Sequence, residues 1–393
     1  MFDIDIDEHE LGRQFPKPTK GPSLQAGPTS FGQFNRANGP ISLQDYLSGD
    51  HAILGLHVTS FKNATIVAIV WPHAVAGALG IKEIFAAWSK ALHGEHVPPL
   101  LGARKNVLDG LAADTDRQVQ YNPGSGEIKG WNFIKFLLRI VWTVFWRPKV
   151  EARVIFLPRQ FVSQLRGTSM KDIEAIHGAS SSPFLSEGDV LTAWTSRFVA
   201  QARGGRRPGL IFNPLDITSR LTGIWQAGGT YVQNLAGAMY TTVTADELRT
   251  KPIGELAYAV RQSIKHQATD EQIRAQLRIF RTLGHKKAEP LYGNPDSQLV
   301  AYSNWTKFDI FNAVDFSPAV SSVSLAAAET LPGKPVYMHC VSLGENRFQR
   351  DCFVILKDLH GNYWITAFLY PEDWQSLEHY IKQTGKHIGL YGR

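Results

Sequence analysis

The sequence has few of the residues that mark secreted or metal-binding proteins. Only 2 of its 393 residues are cysteines, Cys340 and Cys352, and neither stands in a metal-ligand spacing. So few cysteines in so long a chain exclude a disulfide framework and indicate a reducing compartment. The 13 histidines form no HxxH or HxxxH pair on a predicted helix, so we expect no metal. We therefore expect a cytoplasmic protein without a bound cofactor.

A strong charge of either sign is also absent. The formal net charge is +6 at pH 7, and the basic residues cluster only at 203–207 (RGGRR) and 285–287 (HKK). We interpret both clusters as solvated surface. No RNA- or DNA-binding motif accompanies them, so we expect no nucleic acid partner. An anionic cosubstrate fits this mild positive charge equally well.

Long apolar runs are missing as well. The N-terminal MFDIDIDEHE is acidic and lacks the apolar segment of a signal peptide. The longest apolar run, residues 131–146 (WNFIKFLLRIVWTVFW), is shorter than a membrane span and contains Lys135 and Arg139. It predicts an amphipathic helix that packs against the protein, and the alternative is a helix that lies on a bilayer surface. We predict no transmembrane segment.

The pattern of strands and helices predicts an α/β protein of two lobes. A chain of 393 residues with 44% hydrophobic residues is globular and too long for one ordinary core. Residues 1–50 are rich in Pro and Gly and predict an extended arm with few regular elements. Strands then alternate with helices, which predicts a two-layer sandwich in each lobe. We place the N-terminal lobe, with its arm, at residues 1–165 and the C-terminal lobe at residues 166–393.

Local signals position the predicted elements. A turn at Lys62 and Asn63 joins the first two strands, and a tight turn at residues 360–362 joins the last two. Ser186 is a predicted helix N-cap with Asp189 three residues later, and Thr244 is a second N-cap. The predicted strands are residues 52–61, 64–71, 151–158, 208–217, 298–305, 335–343, 351–359 and 362–370.

The stretch WPHAVAGALG, residues 71–80, places a histidine between a buried strand and a helix. The carboxyl ends of strands are where α/β folds hold their ligands. The small residues Ala74, Ala76 and Gly77 would leave the imidazole of His73 accessible. Neutral imidazole is the usual base for a hydroxyl near neutral pH. The pattern also fits a histidine whose hydrogen bonds are satisfied within a core.

Further motifs follow WPHAVAGALG in a fixed order. They are SEGDVLTAW (186–194), LDITSRL to YVQN (215–234), SNW (303–305) and DFS (315–317). Together the motifs resemble the BAHD acyltransferase family, most closely its fungal branch, which acylates hydroxyls of terpenoids, polyketides and related secondary metabolites. The resemblance implies a two-lobe, chloramphenicol-acetyltransferase-like fold. It also implies a central tunnel that acyl-coenzyme A enters from one side and the acceptor alcohol from the other.

The resemblance also implies roles for individual residues. His73 would be the general base that takes the acceptor's proton, with no covalent acyl-enzyme. Ser303 matches the hydroxyl that donates to the developing oxyanion, and Trp305 would line the same pocket. Asp315 and Phe316 match the family's late DFGWG motif, which holds the lobe interface, so we class them as structural.

The chain departs from the family pattern in three places, of which the change of DFGWG to DFSPA (315–319) has the least weight. Gly77 stands where the family has an aspartate that pairs with an arginine, and the matching Arg220 is kept. An arginine left unpaired in a buried site would cost roughly 3–5 kcal/mol. We therefore expect Arg220 to find Asp216 or Asp315, or the turn at His73 to be loosened. The family's first strand and helix have no counterpart before this turn, so we expect a truncated first lobe, present as a monomer or completed by a partner.

Three functions stay open. The leading hypothesis is transfer of an acyl group from acyl-coenzyme A to an alcohol of a secondary metabolite. A second is a coenzyme-independent cyclase, isomerase or lyase that uses His73 as its acid or base. A third is a catalytically degenerate homologue that binds a metabolite or a partner enzyme. Coenzyme A binding and the effect of His73→Ala distinguish the three.

Overall fold

The structure is a computed structural model that describes residues 1–102, 108, 119–178, 183–221, 229–283, 290–321, 331–340, 342–344 and 348–390. The strands of this part are β1 (Ser23–Gln25), β2 (Gly55–Ser60), β3 (Thr65–Val70), β4 (Glu151–Leu157), β5 (Gly209–Asp216), β6 (Ala236–Val243), β7 (Gln298–Asn304), β8 (Cys352–Lys357) and β9 (Tyr363–Leu369). Its α-helices are α1 (Leu43–Ser48), α2 (Ala78–Leu92), α3 (Gly130–Trp146), α4 (Arg159–His177), α5 (Glu187–Ala202), α6 (Ala245–Thr250), α7 (Ile253–Gln267), α8 (Asp270–Leu283), α9 (Ile310–Ala313) and α10 (Pro371–His387).

One large mixed sheet organises the molecule. Its seven strands lie in the order β1-β4-β9-β8-β7-β5-β6, and only the β5–β7 and β7–β8 pairs are parallel. Side chains alternate between its faces, so Ile155 and Leu157 join one hydrophobic cluster while Val154 and Phe156 join another. Strands covered on both faces are nearly continuous apolar runs, which explains why they stand out in the sequence. The sheet and its helices confirm the predicted α/β class.

Helices cover the face of the sheet that carries Ile155. Helices α4, α5, α7 and α10 contribute buried residues to this cluster, among them Trp194 and Trp374. Helix α5 begins at the predicted capping box: the Ser186 amide donates to Asp189 Oδ2 over 2.7 Å, and the Asp189 amide donates to Ser186 Oγ over 3.2 Å. Thr244 caps α6 in the same way. Both predicted N-caps are therefore confirmed.

The predicted hairpins are confirmed, and they differ in their surroundings. Strands β8 and β9 are interior strands of the large sheet, and Gly361 adopts φ +83° in the turn between them. Within the described residues, strands β2 and β3 pair only with each other, and they turn at Lys62 and Asn63. The N-terminal arm has few regular elements, as predicted. Its strand β1 extends the large sheet, while Phe31 and Phe34 pack near the β2–β3 hairpin.

Two expectations about local structure are wrong. Residues 335–340 have no regular secondary structure, although 335–343 was predicted as a strand. An extended segment needs a neighbour for its backbone groups, and no strand of the described part pairs with it. Arg203, expected on the solvated surface, is largely buried, and Asp351 and Asp373 compensate its charge at 2.5 Å and 2.7 Å. The second basic cluster, residues 285–287, lies outside the described residues.

Helix α3 is confirmed as a helix, and it packs against the protein through one side, while most of its large apolar residues are exposed. Phe136 is its one buried residue among those described, at 1% exposure, while Trp131 and Phe145 are 74% and 73% exposed. Across the described ranges, no helix combines the length and the apolar character needed to cross a membrane.

The predicted boundary between lobes, after residue 165, falls inside α4. Strands β1 and β4 precede this boundary and pair within the same sheet as the strands that follow it. The division into two lobes stays a prediction, and so does the truncation of the first.

Candidate active site

His73 lies in a short turn between β3 and α2. The Val75 amide donates to the Pro72 carbonyl over 2.9 Å, and the Trp71 indole donates to the Ala76 carbonyl over 2.8 Å. These bonds turn the chain sharply and leave the His73 side chain exposed. Within the described part of the chain, the imidazole has no hydrogen-bond partner. The core-histidine interpretation therefore does not describe this ring, which is open to a ligand.

Asn234 holds the His73 turn from the other side. Its Nδ2 donates to the His73 carbonyl over 2.6 Å, and a Cβ built on Gly77 would lie 2.8 Å from its Oδ1. The side-chain amide of Asn234 thus stands beside the position where the family carries an aspartate. Gly77 is the N-cap of α2 and offers no side-chain cap, so this amide supplies the polar contact at the turn.

Arg220 has an acceptor other than a carboxylate at residue 77. Its Nη1 donates to the Ala268 carbonyl over 3.1 Å. Burial raises the pKa of Asp216, and the nearby positive charge of Arg220 acts in the opposite direction. Asp315, the other expected partner, pairs with Lys334 instead. The Arg220 guanidinium is half-buried and hydrogen-bonded. It therefore does not carry the free-energy cost expected of an unpaired buried arginine.

Ser303 and Trp305 are in direct contact at the end of β7. The Trp305 indole N–H donates to Ser303 Oγ over 2.7 Å, and Trp305 is 8% exposed. Within the described residues, the Ser303 hydroxyl has no other hydrogen-bond partner. Because the indole occupies one of its lone pairs, its own proton is left to donate to another acceptor. A carbonyl oxygen that gains negative charge is such an acceptor.

Asp315 and Phe316 connect the segment after β7 to helix α2. The Asp315 amide donates to Ser89 Oγ over 2.9 Å, and the Phe316 ring lies 4.6 Å from the Trp88 ring. Hydrogen bonds from Ser317 and the Lys334 ammonium lower the pKa of Asp315 to about 2. Its carboxylate is therefore charged at neutral pH and faces partners within the fold. These contacts support a structural role for the motif.

Helix α2 connects the turn that carries His73 to the region around Trp305. Ala78 and Phe85 of this helix pack against the hydrophobic cluster that contains Trp305. Helix α9, which follows Trp305, also packs on α2. The turn that carries His73 is thereby attached to the strand end that carries Ser303.

Comparison with known proteins identifies this arrangement. Residues 40–322 match the Transferase family, which contains the BAHD acyltransferases. The chain is 50% identical over 394 residues to acetyltransferase pyiB of Pyricularia grisea, covering 98% of this chain and 78% of that protein. It is 34% identical over 394 residues to O-acetyltransferase PaAT-2 of Phomopsis amygdali, covering 96% and 80%. The chain belongs to the BAHD acyltransferase family.

A solved structure shows the same fold. The chain resembles TRI101 of F. sporotrichioides, solved in complex with coenzyme A and T-2, with a TM-score of 0.60 and 18% identity over 84% of this chain and 68% of that one. The predicted fold class and the prediction that the chain is an acyltransferase enzyme are therefore confirmed. The roles of individual residues stay predictions.

The contact between Asn304 and Gly188, at the end of β7 of this BAHD acyltransferase, was not predicted from the sequence. Asn304 accepts hydrogen bonds from the Thr306 amide and hydroxyl, over 3.0 Å and 2.7 Å, and so directs the chain away from β7. A Cβ on Gly188 would lie 2.5 Å from Asn304 Nδ2, so the glycine of SEGD makes room for this side chain. The sequence signal for this contact was the glycine itself. Glycine inside a helix costs about 1 kcal/mol relative to alanine, so its presence in α5 indicates a close neighbour.

The cysteines of this acyltransferase are poor nucleophiles. Burial raises the pKa of both Cys340 and Cys352 to about 11. A thiol needs to ionise to attack a thioester, and at neutral pH these two remain protonated. Neither cysteine is therefore suited to carry an acyl group.

Proposed function

We propose that the protein transfers an acyl group from acyl-coenzyme A to a hydroxyl of a terpenoid, polyketide or similar secondary metabolite, with His73 as the general base. The observation that carries the proposal is the exposed imidazole at the start of α2, a helix that packs on the cluster holding Trp305 and, through it, Ser303. The names of the relatives and the ligands of TRI101, coenzyme A and T-2, support the substrate classes.

On this proposal the acyl group passes directly from coenzyme A to the acceptor, without a covalent acyl-enzyme. The acceptor oxygen attacks the thioester carbonyl carbon while the His73 imidazole takes the hydroxyl proton. The tetrahedral intermediate then breaks its C–S bond, and the imidazolium returns the proton to the departing sulfur. The products are an ester and the free thiol of coenzyme A. A general base of this kind contributes about 10²–10⁴-fold to the rate.

The Ser303 hydroxyl would donate to the oxyanion of the intermediate. The Trp305 indole N–H donates to the Ser303 oxygen and so orients the hydroxyl. The proton of that hydroxyl is then left to donate to the oxyanion. Losing one such donor costs about 10²–10³-fold in rate. The donor and the acceptor would meet in a tunnel between the lobes, and the reducing environment expected from the cysteine content favours a cytoplasmic protein.

Calorimetry with acetyl-coenzyme A and turnover of a panel of alcohols test the proposal. The wild-type chain should bind acetyl-coenzyme A, and His73→Ala should lower turnover about 10²–10⁴-fold without weakening that binding. His96→Ala is the matched control, because His96 is an exposed histidine beyond α2. Ser303→Ala should lower turnover about 10²–10³-fold.

The outcomes separate the three hypotheses. A folded chain that binds no acyl-coenzyme A but loses turnover in His73→Ala would be a coenzyme-independent enzyme. A folded chain that neither binds acyl-coenzyme A nor responds to His73→Ala would be a binding protein. Either result would overturn acyl transfer by this site.

A further inference from the structure

The exposed side of α3 forms one continuous apolar face. Its large apolar residues recur three and four positions apart and cover roughly half of the helix circumference at about 100° per residue. The face consists of Trp131, Ile134, Leu137, Leu138, Val141, Trp142, Phe145 and Trp146, all of them exposed. Phe348, 66% exposed, continues the apolar surface across a groove that is also lined by Val144 and Pro148.

The opposite side of α3 is firmly attached to the protein. Phe136 is buried, and Arg139 donates to the carbonyls of Pro295 and Ser297 over 2.5 Å and 2.6 Å. Lys135, which at about 100° per residue lies between Trp142 and Trp146 at the margin of the apolar face, pairs with Asp296 at 3.0 Å. These contacts determine which side of the helix faces the protein. The apolar face is therefore held outward by the structure.

Positive charge surrounds this face. Residues 129–149 contain five basic residues and no acidic one. Arg206 and Arg207 are exposed, and the charge of Arg207 acts on both Arg139 and Asp296, which places it beside the helix. The acidic partners of this region are Glu127, Asp296 and Glu372. Lys129, Lys135, Arg139 and Arg147 pair with these three acids, and Lys149, Arg206 and Arg207 add further positive charge.

We propose that α3 is a docking surface for an anionic lipid bilayer and that the helix lies in the membrane plane. Its 17 residues span about 25 Å, with Trp131 and Trp146 at the two ends. Tryptophan prefers the boundary between headgroups and acyl chains, and neighbouring Lys and Arg attract anionic headgroups. None of the described helices is suited to cross the bilayer, so the contact is peripheral.

The charge favours a membrane over a second copy of the chain. A symmetric dimer through α3 would bring two basic surrounds together, and like charges repel. An anionic bilayer instead neutralises them. This inference does not depend on the proposed acyl transfer, because none of the residues involved belongs to the His73 site.

Co-sedimentation with phosphatidylcholine vesicles, with and without phosphatidylserine, tests the apolar face. The wild-type chain should bind the phosphatidylserine vesicles, and Trp142→Ser/Phe145→Ser should weaken that binding about tenfold or more. Ile176→Ser is the control, because Ile176 is an apolar residue that is 50% exposed on a different helix, α4. It should leave vesicle binding unchanged.

A second double variant tests the role of the positive charge beside α3. It changes exposed residues outside the helix, so its result does not depend on whether the first variant folds. Arg206→Glu/Arg207→Glu should weaken binding to phosphatidylserine vesicles about tenfold, and high salt should do the same to the wild type. No vesicle binding by the wild type, or binding that Trp142→Ser/Phe145→Ser leaves intact, would overturn the proposal. A wild-type dimer that this variant converts to a monomer, without vesicle binding, would assign the face to a second copy instead.

Discussion

The large sheet and the hairpin that leads to His73 are built from similar residues in different surroundings. Ile155 in β4 and Ile365 in β9 are fully buried, whereas Leu56 and Val58 in β2 are 50% and 48% exposed. The sheet has seven strands, with buried clusters on both faces. The hairpin has two strands, and an isolated two-stranded hairpin is marginally stable in water. Similar strand sequences therefore give unequal local stability.

This difference indicates which contacts position the turn that carries His73. The partly exposed hairpin cannot position His73 by burial alone, so the turn depends on its own contacts and on those made by α2. The Asn234 amide bonds the His73 carbonyl, Gly80 lies against the Val232 backbone, and Ser89 bonds the Asp315 amide. Variants in the two regions should consequently separate stability from activity.

The largest expected effect comes from removing the cation of the buried charge cluster beside the large sheet. Arg203 follows α5 and pairs with Asp351 before β8 and Asp373 in α10, both buried. Arg203→Met leaves these carboxylates without their cation and should lower the free energy of unfolding by about 3–5 kcal/mol. Urea denaturation measures the loss.

Lys382→Met provides the control for Arg203→Met. Lys382 pairs with Glu378 on the exposed side of α10, with both side chains more than half exposed. Solvent screens such an exposed pair, so this substitution should lower the free energy of unfolding far less than Arg203→Met does. Equal effects of the two substitutions would contradict the assignment of a buried charge cluster.

A glycine substitution in α2 should affect the site more than the sheet. A Cβ on Gly80 would lie 1.9 Å from the Val232 carbonyl oxygen, so Gly80→Ala must move the helix away from this backbone. We expect a loss of about 1–3 kcal/mol in unfolding free energy and, because His73 moves with the helix, up to about 10²-fold in turnover. Thermal unfolding and acyl transfer measure the two.

Gly167→Ala is the matched control for this substitution. Gly167 lies within α4, and a Cβ there would have no heavy atom within 4 Å. Alanine is the better helix former, so this variant should gain about 0.5–1 kcal/mol and keep its turnover. If Gly80→Ala behaved in the same way, the close approach to Val232 would not be a constraint.

The smallest expected effect concerns the ion pair between Asp315 and Lys334. Asp315→Asn removes the ion pair with Lys334, which joins its Nζ to Asp315 Oδ2 over 3.3 Å. We expect a loss of about 1 kcal/mol in unfolding free energy at neutral pH. Denaturation of the wild type and the variant at several pH values measures it.

The pH dependence of this loss has a definite sign. The pKa of Asp315 is lowered to about 2 from its usual 3.8, so the carboxylate stabilises the fold fully above that usual value. Its contribution disappears as the pH falls through about 2. The difference between wild type and variant should therefore be constant near neutral pH and shrink in strong acid. A difference that grew on acidification would contradict this sign.

Local signals in the sequence predicted most of the elements. Strands buried on both faces, such as β4 and β9, appear as apolar runs, and capping residues such as Ser186 and Thr244 mark helix starts. The segment 335–340 misled the prediction because it has the composition of a strand, while strand formation depends on a neighbour to pair with. Arg203 misled it because nothing near it in sequence shows the two aspartates that it meets in space.

The candidate site divides in the same way. The order of the motifs was sufficient to predict the family, the fold class and the enzyme class, since each motif is a local pattern. The contact of Asn234 with the His73 turn and the hydrogen bond of Arg220 to Ala268 join residues that are far apart in the chain. The indole bond to Ser303 joins close neighbours, but it depends on side-chain orientations that the fold sets at the end of β7.

The sequence by itself determined the amphipathic character of α3, because a period of 3.6 residues is a property of the chain alone. Which side of that helix faces solvent was decided by the tertiary structure. Phe136 is buried and Arg139 reaches the carbonyls of Pro295 and Ser297, so the apolar face turns outward. Burial depends on what the rest of the chain places beside a residue, and that is a property of the fold.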